Sequence, residues 1–181
     1  MKYSDIRSSI RSGDLLAFSH GSWASWSGIK TNLVRIFTKS TYSHVGMAWV
    51  VGGRVFVLEA VKPLTRLYPL SQSGEFYLLP LNAPWGKETE EFALACIGTV
   101  YDDMAAILAF LNRLEPHNVR QCSAYVIETL YRDDIDLGPR ATPDAVVLKA
   151  QERGAILTYV TKTKYRDDFD LGPKSLPDIV V

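Results

Sequence analysis

The chain has 181 residues, 47% of them hydrophobic and 22% charged, the make-up of a soluble globular protein that can bury one core. Its 20 basic residues balance 20 acidic ones, which argues against a nucleic-acid partner held by bulk electrostatics. Its 2 cysteines exclude a disulfide framework and do not by themselves make a zinc site.

The opening Met1-Lys2-Tyr3-Ser4-Asp5-Ile6-Arg7 has no apolar h-region, so no signal peptide and a cytoplasmic location are expected, compatible with a phage-encoded protein. Residues 4–11 read as a short polar helix with Ser4 as N-cap. Gly13-Asp14 turns the chain into a strand over 15–18, followed by a loop rich in Ser, Gly and Trp that holds His20, Trp23 and Trp26. A helix is predicted over 29–37. Residues 44–51 and 54–61 form a hairpin around Gly52-Gly53, a pair suited to a two-residue primed turn. The stretch 45–60 is the nearest approach to a membrane span, and Gly52, Gly53, Arg54 and Glu59 interrupt it, so no transmembrane segment is expected.

A further strand is predicted over 76–81. Helices are predicted over 88–98, with Phe92, Ala93, Cys96 and Ile97 on one face, and over 102–111, 122–131 and 143–153. A last strand is expected over 155–160. About five strands, several helices and a hairpin in place of strict alternation favour the α+β class. Near the end, Tyr131-Arg132-Asp133-Asp134-Ile135-Asp136-Leu137-Gly138-Pro139 recurs as Tyr165-Arg166-Asp167-Asp168-Phe169-Asp170-Leu171-Gly172-Pro173. The domain expected is 1–160, with 161–181 a tail that repeats 131–147 and could dock where the first copy docks. The acidic run lacks the spacing and the distal Glu of a calcium loop, and no metal or cofactor is expected.

The hairpin has a chemical consequence. With Gly52-Gly53 as the loop, Gly46 faces Glu59 and His44 faces Val61, so all four share one side of the sheet. His44 and Glu59 are then diagonal neighbours, with Cα atoms roughly 7–8 Å apart. Gly46 leaves room for the carboxylate to lean toward the imidazole. A one-residue slip of register would separate the two. Taken singly, a strand histidine is more commonly a hydrogen-bonded core residue, and a strand-end Glu a solvated charge.

Cys122 opens a helix, and a helix N-terminus or a nearby imidazolium favours the thiolate. Cys96 lies mid-helix among Phe92, Ala93 and Ile97 and reads as an inert core residue. His20 and His117 have no evident carboxylate partner.

These segments resemble the permuted branch of the NlpC/P60 superfamily, more narrowly the YiiX/YaeF-type permuted papain-like amidases. The matching pieces are Gly13-Asp14-Leu15-Leu16, Tyr42-Ser43-His44-Val45-Gly46, Phe56-Val57-Leu58-Glu59-Ala60, Gly98-Thr99-Val100-Tyr101-Asp102 and Cys122-Ser123-Ala124-Tyr125-Val126. Papain-type enzymes place cysteine before histidine, and here the order is reversed. The resemblance implies a circularly permuted papain-like fold, an antiparallel sheet with the cysteine helix packed on it. It implies Cys122 as nucleophile, His44 as general base and acid, and Glu59 as the residue that orients the imidazole. Tyr42, Tyr101, Trp23 and Ser123 are the expected substrate-binding residues. The expected activity is that of a cysteine hydrolase, or an acyltransferase, on a peptide amide or a lipid-linked amide or ester. The rival is a non-catalytic binding or virion module that retains the fold. Ala124 and the duplicated tail depart from the pattern.

Overall fold

The computed structural model describes residues 1–19, 41–83, 85–100, 122–139 and 142–161. Among them the protein is α+β. Six strands form one sheet: β1 (Leu15–Phe18), β2 (His44–Val51), β3 (Arg54–Ala60), β4 (Thr65–Pro69), β5 (Phe76–Leu79) and β6 (Thr158–Val160). Their spatial order is β4-β3-β2-β1-β5-β6, and every neighbouring pair is antiparallel. Four α-helices accompany the sheet among the described residues: α1 (Tyr3–Ile6), α2 (Lys87–Ala95), α3 (Cys122–Leu130) and α4 (Pro143–Glu152). None of the described helices is long and apolar enough to cross a membrane.

Both faces of the sheet are covered, which is why its central strands read as nearly continuous apolar runs. One face carries Leu15, Ala17, Val45, Met47, Leu58 and Ala60, packed in one core with Tyr125, Val126 and Leu130 of α3 and with Val146, Val147 and Ala150 of α4. The other face carries Leu16, Phe18, Ala48, Val55 and Val57, covered by Tyr3, Ile6, Ile10 and Leu70. Each fully buried Leu or Val contributes roughly 1.5–3 kcal/mol from the area it removes from water.

The hairpin pairs Met47 with Leu58 through to Val51 with Arg54, the register expected from a Gly52-Gly53 loop. Both glycines have positive φ, +56° and +72°, as a primed turn requires. Several elements differ from expectation. Ser4 is not the N-cap: Lys2 occupies that position, and the Ser4 hydroxyl donates to Asp5 inside the short helix. The predicted 88–98 helix stops at Ala95, and Gly98 reverses the chain at φ +86°, leaving Ile97 exposed. The last strand shrinks to Thr158–Val160. Strand β4 was not expected at all. It has five residues, ends on Pro69 and lies at the sheet edge, where a strand can tolerate proline.

The first copy of the repeat is structural. Ile135 and Leu137 are buried, Asp133 accepts the Gly86 N–H that precedes α2, and Asp136 accepts the N–H of Gly138. Thr142 caps α4 by accepting the Ala145 N–H, with Pro143 at the first helical position. The second copy and the predicted helices over 29–37 and 102–111 lie outside the described residues.

Candidate active site

The open end of the β2–β3 hairpin carries a chain of polar side chains. His44 is the first residue of β2, and its Nε2 lies 2.8 Å from Glu59 Oε2. Glu59 is only 3% exposed, and a carboxylate so far from water must be paired. Its other oxygen, Oε1, accepts from Arg66 Nε at 2.8 Å and lies 2.7 Å from Arg66 Nη2. Arg66 reaches it because β4 pairs with β3 in a register that sets Arg66 directly opposite Glu59.

Gly46 makes the close approach feasible. A Cβ there would meet Val57 Cγ2 at 2.8 Å, the Leu58 carbonyl oxygen at 2.9 Å and Glu59 Cβ at 3.3 Å. The chain entering β2 is pinned before it reaches the histidine. The Tyr42 N–H donates to Asp144 Oδ1, and both the N–H and the hydroxyl of Ser43 donate to the Phe18 carbonyl. The Phe18 ring then lies beside the imidazole, centroids 5.5 Å apart.

Cys122 opens α3, and Tyr125, Val126 and Leu130 bury that helix in the same core as Val45 and Met47. A second tie comes from the Tyr125 hydroxyl, which donates to the Ala93 carbonyl of α2. By strand alternation Glu59 shares a face with Val55 and Val57, whereas α3 covers the opposite face. The two meet because His44 stands at the very start of its strand, where the N-terminal end of α3 comes against the sheet. There the imidazole and the Val45 backbone lie close enough to the sulfur to shift its titration. The Ser123 hydroxyl is 3.8 Å from the sulfur. Nε2 is committed to Glu59, which leaves Nδ1 for the sulfur.

The electrostatics follow from that geometry. Burial by itself favours the neutral imidazole, but hydrogen bonds and charge from Cys122 and Glu59 outweigh it and push the His44 pKa up to about 10. Burial raises the Cys122 thiol; the imidazolium, the Val45 backbone and Ser123 overcome this and lower it. Burial also raises Glu59, and His44 with Arg66 bring its carboxyl below the usual range. All three shifts act toward a thiolate–imidazolium pair backed by a carboxylate and a guanidinium.

Of the residues expected from sequence, His44, Glu59 and Cys122 come together. Tyr42 is half-buried, its ring edge-on to Tyr77 with centroids 5.3 Å apart. Ser123 is fully buried, with its hydroxyl 3.8 Å from the Cys122 sulfur. Trp23 and Tyr101 lie outside the described residues, as do Trp26, His20 and His117. Arg66 escaped sequence reasoning. The only local signal was the alternation Thr65-Arg66-Leu67-Tyr68, and without β4 there was no register to set Arg66 against Glu59.

No family model matches the chain, and no curated protein does. Among solved structures it is similar to the crystal structure of the metalloprotein YiiX from Escherichia coli O157:H7. The TM-score is 0.52 at 20% sequence identity, over 89% of this chain and 92% of that one. The similarity to YiiX noted in the sequence therefore holds at the level of the fold.

Proposed function

We propose that the chain is a cysteine hydrolase of the amidase or peptidase type on a permuted papain-like fold. It would act through a thioester on a peptide amide or a lipid-linked amide or ester. The observation that carries this reading is a buried Cys122 thiol, shifted toward the thiolate by the neighbouring His44, beside an imidazole whose Nε2 lies 2.8 Å from Oε2 of a buried Glu59. A thiol next to an imidazole that is itself oriented by a third group is the arrangement nucleophilic catalysis requires.

In this mechanism the Cys122 thiolate attacks the carbonyl carbon, and the carbonyl π electrons move to oxygen. The backbone N–H of Cys122, at the start of α3, donates to that oxyanion. The imidazolium of His44 gives its proton to the departing amine or alcohol as the tetrahedral intermediate collapses to a thioester. His44 then takes a proton from water, which attacks the thioester and frees the acid. Another acceptor in place of water would make the reaction a transfer. Glu59 keeps the imidazole oriented throughout. We assign this chemistry to residues 1–160, with 161–181 as a tail.

YiiX is described as a metalloprotein, and the present site does not fit a metal. Both Glu59 oxygens are taken, by His44 and by Arg66, and the guanidinium cation lies where a metal ion would be repelled. Among the described residues no group of three or more His, Cys, Asp or Glu side chains is arranged to hold one. No step is routed through a metal.

The test is a fluorogenic acyl ester assay with mass-spectrometric mapping of a thiol-directed probe. The wild type should release fluorophore and carry the probe on Cys122, and Cys122→Ala should lose both. Labelling of Cys96 in preference to Cys122, or a Cys122→Ala variant as fast as the wild type, would sink the reading.

A further inference from the structure

We propose that Arg66 is a positioning residue for this site: by holding Oε1 of Glu59 it keeps the carboxylate turned toward His44 and thereby keeps Cys122 reactive near neutral pH. The proposal rests on the reading above, and deepens it by adding a fourth member on a strand that had no expected role.

The geometry points to Arg66 for three reasons. First, the guanidinium meets Oε1 of Glu59, through Nε at 2.8 Å and Nη2 at 2.7 Å, and Oε2 faces Nε2 of His44. Second, Arg66 is directly opposite Glu59 across β3–β4, so the backbone sets the pairing without a search by a long side chain. The guanidinium also lies over the Tyr68 ring, 4.5 Å from its centroid, which restricts its orientation further. Third, Glu59 is almost wholly removed from water. Without Arg66 the buried carboxylate would keep, among the described residues, His44 as its charged partner, and protonation would become its easiest escape from burial. A protonated Glu59 no longer stabilises the imidazolium, and the thiolate then loses its counterion.

Among the described residues, the charged groups facing Glu59 are His44 from β2 and Arg66 from β4, with the Cys122 sulfur of α3 behind the imidazole. A lysine at position 66 would supply a point charge but not the two-nitrogen fork.

The experiment is the pH profile of Cys122 alkylation by iodoacetamide, followed peptide by peptide in wild type, Arg66→Met, Arg66→Lys and Glu59→Gln. This readout needs no substrate, so it separates the role of Arg66 from turnover: a wild type that alkylates readily at low pH yet hydrolyses nothing defeats the hydrolase reading alone. We expect the Arg66→Met profile to move up by about one pH unit, a roughly tenfold slower reaction at pH 6. Arg66→Lys should recover part of the shift, and Glu59→Gln should show at least the Arg66→Met shift. An Arg66→Met profile that overlays the wild type while Glu59→Gln is displaced would overturn the proposal. So would a wild-type Cys122 that titrates as an ordinary thiol. If Arg66→Met fails to fold, Arg66→Gln and Arg66→Lys carry the same comparison, and a wild-type profile in both is the overturning result.

Discussion

The two cysteines of this chain lie in one core, on helices tied together by the Tyr125–Ala93 hydrogen bond, and both are buried. Their positions are nonetheless opposite. Cys122 is the first residue of α3, at the end where the helix dipole favours an anion, and its sulfur meets His44 and the Val45 backbone. Cys96 is the C-cap of α2, its N–H bonded back to Phe92, at the end where the dipole disfavours an anion. Residue type and burial are shared, so neither sets the two thiols apart. Helix polarity and the neighbouring imidazole do.

The comparison breaks most visibly at His44. His44→Ala should lower turnover by about 10²–10⁴-fold. It should also remove the low-pH alkylation of Cys122, leaving the two cysteines alike by peptide mass spectrometry. A His44→Ala variant whose Cys122 still reacts faster than Cys96 at pH 6 would show that helix polarity alone makes the difference.

Next in size is Gly46→Val. The added Cβ would collide with Val57 and with the Leu58 carbonyl, and the strand cannot yield without moving Glu59. We expect a loss of about 1–3 kcal/mol in urea unfolding, together with slower alkylation of Cys122. Destabilisation with an unchanged alkylation profile would separate the packing role of Gly46 from its effect on the site.

The pH dependence of stability sharpens the contrast further. His44 is raised from 6.5 to about 10, so its contribution is full below 6.5 and is lost as pH climbs toward 10. Cys122 is lowered from 9.0, so its contribution is present above 9.0 and is lost as pH falls. Between 6.5 and 9.0 the two slopes have opposite sign, so stability should fall less steeply with pH than His44 alone would make it. Glu59, lowered from 4.5, adds a further loss as the solution becomes acidic. In Cys122→Ser the thiol contribution is gone and only Glu59 is left to raise His44, so any fall in stability with rising pH from 6.5 should be at most about 1.4 kcal/mol per pH unit and should end below pH 10. Chemical unfolding midpoints across pH 5–10 (roughly one per half unit) would read this directly. An identical profile in both proteins would mean that the ion pair is not formed.

The smallest effect is expected for Cys96→Ala. Loss of one small buried group should cost about 1 kcal/mol. The alkylation profile of Cys122 should not change, because Cys96 is absent from the charges that set it. A shifted profile would mean that the two helices communicate through the core they share.

The hairpin was legible in the sequence because its information is local. Gly52-Gly53 defines the loop, strand pairing has a period of two, and the diagonal of His44 and Glu59 follows by counting. Even Gly46 could be read, as the gap opposite the carboxylate. The cap at Ser4 was misread because a serine two residues further along the chain than the observed cap satisfies the same pattern. Strand β4 went unread because five residues ending in proline carry little periodicity, and with it went Arg66.

By itself, then, the sequence determined the hairpin register, the pairing of a histidine with a carboxylate and the helix-opening position of Cys122. Each of these follows from steric and hydrogen-bonding rules acting over a few residues. Only the tertiary structure decided that the Cys122 sulfur meets His44, 78 positions earlier in the chain, and that Arg66 closes the far side of Glu59. Those contacts depend on which strand neighbours which and on how α3 packs against the sheet. Such choices are made by the burial of Tyr125, Val126, Val45 and Met47 in one core, not by any pattern near the reacting groups.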